Sequence, residues 1–139
     1  MDVKMDLETL GRFLVTAFPQ VVDDFRIEQV TAQGVRVRLI TAERHLRPGG
    51  TISGPAMFAL ADVGMYLAVL SRIGPQALAV TTNCSIDFMR KPVAGADLIC
   101  DARLLKLGRV LAVGDALLYS EGDERVVARA GLTYSIPPS

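Results

Sequence analysis

Half of the 139 residues are apolar, and 15 basic side chains balance 15 acidic ones. This is the composition of one globular domain, 1–139, with little room for a second. Zero net charge argues against nonspecific nucleic-acid binding, which needs a basic excess, but it leaves room for an anionic small ligand held by a few local cations.

The N-terminal run MDVKMDLETL lacks the basic flank and apolar core of a secretory signal, so a cytoplasmic location is expected. Asp6 can cap a first helix whose Leu7, Leu10, Phe13, Leu14 and Phe18 share one face, and Pro19 stops it. FRIEQV and GVRVRLIT read as two strands around the turn TAQG; Val35, Val37 and Leu39 alternate with Arg36 and Arg38.

The loop RPGGTISGP leads into GPAMFALADVGMYLAVL, an apolar helix expected over Gly54–Ser71. Gly54 is a possible N-cap and Pro55 suits the first helical position. Asp62 is the only charged residue between Arg47 and Arg72. An acid there needs a partner, a proton or a function. The stretch reaches only about 17 residues and carries that charge near its centre, so it is short for a bilayer span and no membrane partner is expected. A helix apolar almost all round should instead be wrapped by a sheet or by a second subunit.

From Ala77 the chain reads as strands: ALAVTTNCSIDFMR, LICDARLLKL, RVLAVGDALLYS and RVVARAGLTYSI. Their short connections predict an antiparallel meander. Cys84 and Cys100 fit no CxxC pattern and His45 is the only histidine, so no metal site is expected and both thiols read as reduced strand residues.

The run RPGGTISGPAMFALAD, followed by LAVTTNCSIDFMRKPVAGADLICDARLLKLGR and VARAGLTYSI, resembles the hotdog-fold acyl-CoA thioesterases. The nearest type is that of phenylacetate degradation and 4-hydroxybenzoyl-CoA. The resemblance covers about 100 residues from near Arg44 onward, by the order of these motifs. It implies an α+β hotdog domain, an antiparallel sheet wrapped around the long helix, that hydrolyses an acyl- or aroyl-CoA thioester. It also implies that coenzyme A enters as part of the substrate, with no separate cofactor. Asp62 falls on the family's catalytic carboxylate, Gly54 on the residue whose N–H polarises the thioester carbonyl, and Gly50 on the glycine before the helix. Arg47 stands where Asn or Gln is usual, Ser53 where His is usual, and Pro55 replaces a second Gly.

Helix geometry adds a constraint of its own. Gly54 and Asp62 are eight positions apart, about 12 Å along a helix, too far to serve one carbonyl from one chain. Antiparallel helices across a two-fold axis would bring Gly54 of one chain to Asp62 of another, predicting a homodimer; a homotetramer, as a dimer of dimers, is the further expectation.

Tyr66, at i+4 from Asp62, either orients a water or bonds the acid, or else packs as a core aromatic. Arg47 is open to pairing with Asp62 or to binding the substrate. Ser53 reads as a helix cap ahead of a nucleophile, and His45 as a surface loop residue. Arg90, Lys91, Lys106 and Arg109, with Arg103, are the candidate cations for coenzyme A phosphates. A non-catalytic acyl-CoA-binding sensor is the second functional class, and a hotdog dehydratase or hydratase the third.

Overall fold

A computed structural model describes residues 1–138. Helix α1 (Leu7–Ala17) begins where Asp6 accepts the Thr9 N–H at 2.9 Å, the cap expected of that aspartate, and it buries Leu10 and Leu14. A 3-10 turn at Pro19–Val21 leads into the hairpin of β1 (Phe25–Val30) and β2 (Gly34–Leu39). Helix α2 runs Gly54–Ile73, followed by β3 (Val80–Phe88), β4 (Leu98–Leu107), β5 (Leu111–Ser120) and β6 (Val126–Ser135).

The strands form one antiparallel six-stranded sheet in the order β1-β2-β4-β5-β6-β3. The predicted meander therefore holds for β4, β5 and β6 but not for β3. Residues 89–97 carry the chain back across the sheet, so β3 lies on the far edge beside β6 while β4 joins β2. One side of β3 pairs with β6, and its other side is open among the described residues.

Helix α2 lies against the sheet and extends two residues beyond the predicted end. It closes at Gly74, whose φ of 94° lies in the left-handed region and whose N–H returns to the Leu70 carbonyl at 2.9 Å. Leu60, Leu67, Leu70 and Val69 are fully buried, each contributing roughly 1.5–3 kcal/mol by leaving water. The helix sits so close to β4 that a Cβ built on Gly64 would lie 2.9 Å from the Cys100 sulfur. Only glycine allows that approach.

At the helix end, buried Arg72 donates to the Thr31 and Gly34 carbonyls and to Ser71 Oγ, tying α2 to the β1–β2 turn. In its N-terminal half α2 is not fully covered. Pro55, Phe58, Ala59 and Asp62, spaced as one helical face, are exposed or half-buried, and Phe58 is 40% exposed. That face and the open edge of β3 are where the sheet stops wrapping the helix.

Candidate active site

Asp62 projects from α2 into a cavity of about 400 Å³ lined by Phe18, Tyr66, Ala77, Thr81 and Tyr134, among others. Its Oδ1 accepts two hydroxyl donors, Thr81 Oγ1 at 2.5 Å and Tyr134 OH at 2.7 Å. Both are direct O–H···O hydrogen bonds to the carboxylate.

A bulge in β3 makes the pair possible. Ala128, Ala130, Leu132 and Tyr134 point inward from β6, opposite Phe88, Ile86 and Cys84 on β3. Regular alternation would then put Thr82 opposite Tyr134. A register shift between Thr81 and Asn83 puts Thr81 there instead, and Thr82 turns out to bond the Thr133 carbonyl at 3.3 Å. Without an alignment of strands, nothing in TTNCSIDF distinguishes the two threonines. Tyr134 carries no local signal beyond that of a strand aromatic. Sequence reasoning missed both.

Tyr66, expected near Asp62, lines the same cavity but does not bond the acid. Its hydroxyl donates to the Ala77 carbonyl at 3.0 Å, and its ring meets Phe18 edge-on at 6.0 Å and Tyr134 at 6.3 Å. Burial raises its phenol pKa. The Tyr134 phenol is raised further, first by burial and then by the Asp62 charge. Burial, then the Asp62 charge, also pushes up the Cys84 thiol.

The start of α2 borders a different cavity, of about 420 Å³, lined by Arg47, Thr51, Gly54, Phe88, Arg90 and Lys91, among others. The preceding loop turns tightly: Gly49 and Gly50 adopt φ of 104° and 87°, and Arg47 N–H meets the Thr51 carbonyl at 2.9 Å. Ser53, not Gly54, is the N-cap. Its Oγ accepts the Ala56 N–H at 3.2 Å and its carbonyl the Met57 N–H at 3.0 Å. The Gly54 N–H is left without an acceptor among the described residues, aimed outward from a helix start. Arg47, Arg90 and Lys91 form no ion pair among the described residues, so this cavity is cationic.

Other expectations separate. Arg47 does not pair with Asp62; the two line different cavities along α2. Lys106 and Arg109 sit exposed at the β4–β5 turn and line neither cavity. Arg103 is taken by Asp115 through two bonds of 2.7 and 3.0 Å. His45 is buried rather than a surface residue, because its Nδ1 accepts the Ala42 N–H within the 3-10 turn Glu43–His45 and its carbonyl anchors Ser53 N–H. Its Nε2 faces Asp24 at 3.4 Å and not Ser53, so no Ser–His pair exists.

Comparison with known proteins agrees with this frame. Residues 49–127, more than half of the chain, match the family model described as Thioesterase superfamily. A "putative esterase" of Pseudomonas aeruginosa is 37% identical over 102 residues, spanning 73% of this chain and 74% of that protein. The crystal structure of a "putative thioesterase" from Silicibacter sp. TM1040 superposes with a TM-score of 0.93 at 57% identity, covering 99% of this chain and 96% of that one. A mutant of the phenylacetic acid degradation protein PaaI from Thermus thermophilus superposes with a TM-score of 0.73 at 28% identity, covering 86% and 99%. Relatives of this kind support thioester hydrolysis as the general chemistry. With its helix wrapped by a six-stranded antiparallel sheet, the chain belongs to the thioesterase superfamily and has the hotdog fold.

Proposed function

We propose that the protein hydrolyses an acyl-CoA thioester in sites shared between two copies of the chain, Asp62 coming from one copy and the Gly54 N–H from the other. The observation that carries this reading is the division of the machinery. Within one chain the carboxylate lies in one cavity and the free helix-start N–H in another, about 12 Å apart along α2. The uncovered face of α2 supports the pairing. Phe58 lies midway between Gly54 and Asp62, so a two-fold axis near Phe58 sets each Gly54 opposite the other copy's Asp62. The open edge of β3 runs along the same border and offers unpaired backbone groups for a second copy.

In such a site the carbonyl oxygen takes the Gly54 N–H, and the partial positive charge of the helix start stabilises the developing oxyanion. Asp62 accepts a proton from water as the water oxygen bonds the acyl carbon. The C–S bond then breaks, and the coenzyme A sulfur leaves with the proton that Asp62 held. The same carboxylate can instead bond the acyl carbon directly as the C–S bond breaks and coenzyme A leaves as its thiolate; water then opens the anhydride, freeing the acid and restoring Asp62. Arg47, Arg90 and Lys91 supply the cations for the coenzyme A phosphates beside Gly54.

Purified protein offered a panel of acyl- and aroyl-CoA thioesters should release free thiol, and Asp62→Asn should lose that release without losing the dimer. A panel with no release by the native protein overturns the reading; binding of those thioesters by calorimetry without turnover would favour the sensor class.

A further inference from the structure

Resting on Asp62 as the base or nucleophile, we propose that Tyr134 is a positioning residue that leaves Oδ2 as the reacting oxygen of Asp62. Both hydroxyl donors converge on Oδ1. Oδ2 accepts nothing among the described residues. The buried side-chain atoms without a partner are His45 Nε2 and Arg72 Nε, so the unpaired Oδ2 reaches solvent.

A carboxylate on a helix turns freely about its last torsion unless something holds it. Two donors on one oxygen, from residues paired directly across the β3–β6 ladder, hold its plane and present the other oxygen. Of the two, Tyr134 is the fixed reference. Its side chain belongs to the core, being 3% exposed, and its hydroxyl also lies 3.0 Å from the Asp62 main-chain carbonyl. The phenol is thereby gauged against the helix backbone as well as the carboxylate. Thr81 stands on the edge strand beside the bulge and completes the clamp. Burial and then the Asp62 charge raise the Tyr134 phenol, which keeps it protonated and able to donate. Tyr134 also lies beyond residues 49–127, the span matched to the family.

The experiment compares the native protein with Tyr134→Phe, Thr81→Val and Thr81→Ser. Tyr134→Phe should lose about tenfold to a hundredfold in kcat at unchanged KM, the worth of a hydrogen bond to a charged group. Thr81→Val should lose less, and Thr81→Ser, which keeps a hydroxyl, should match the native protein. Native kcat in Tyr134→Phe, or a change confined to KM, overturns the proposal while leaving hydrolysis intact. An inactive native protein fails the hydrolase reading instead. The crystal structure of Tyr134→Phe then decides the positioning role without turnover: a carboxylate of Asp62 left in its native orientation overturns it.

Discussion

Gly54→Pro deletes one N–H from the proposed site and little else. Ser53, the residue before it, has φ −76° and ψ 157°, the extended conformation that a following proline requires. The first helical position tolerates proline because its N–H has no partner inside the helix. A Cβ built at Gly54 meets the Phe88 ring at 3.6 Å, an ordinary contact. The fold should therefore survive, as a thermal melt would show. If the Gly54 N–H holds the oxyanion, kcat should fall by about 10²–10³, the cost of removing one such donor. The assay is release of coenzyme A thiol under saturating substrate.

The same variant tests the sharing of sites. Mixed in equal amounts with Asp62→Asn and allowed to re-associate, about half of the dimers are mixed. Each mixed dimer has one site carrying both lesions and one site carrying neither, so about one quarter of native activity should return. Native-level turnover by Gly54→Pro refutes the donor role. Two inactive variants that show no recovery despite proven exchange refute the shared site.

Three further outcomes follow from the packing and the charges. Gly64→Ala drives a methyl against the Cys100 sulfur, which is sealed in the core, and should cost about 1–3 kcal/mol by denaturant titration; Cys100→Ala in the same chain should recover part of that, and an unchanged midpoint would count against the close approach. All three tyrosines, Tyr66, Tyr119 and Tyr134, have phenols raised chiefly by burial, Tyr119 to about 12. The unfolded chain ionises at its ordinary value near pH 10, so the stability these phenols contribute is complete below about pH 10 and is lost as pH rises through the folded values. Phenolate absorbance should therefore rise together with unfolding, and a tyrosine titrating near pH 10 in the folded protein contradicts this. Arg90→Ala and Lys91→Ala should raise KM several-fold for coenzyme A thioesters with kcat retained, and salt should raise the native KM in the same direction; a KM indifferent to salt removes these cations from the substrate site.

Helix α2, the hairpin and the strand LICDARLLKL were legible in the sequence because periodicity and turn residues are local. The placement of β3 was not, since short connections suggested a meander while the pairing partner, β6, comes last in the sequence. The candidate site divided in the same way. Asp62 and the helix start stood out as a lone charge and a Gly/Pro-rich entry, and the spacing between them already called for a second chain. Thr81 depends on a bulge and Tyr134 on a cross-strand pairing, and neither has a local signature. His45 was misplaced for a related reason: its burial comes from a short 3-10 turn that bonds its own ring.

The position of β3 also bears on the order of folding. Among the described residues β6 is its only sheet partner, so Asp62 meets its two hydroxyls only when segments around residues 81 and 134 have closed on each other. Closures between distant segments come late, after the local hairpins have formed. A refolding chain should thus regain turnover only after this closure and the pairing of two copies, and not with its local hairpins alone.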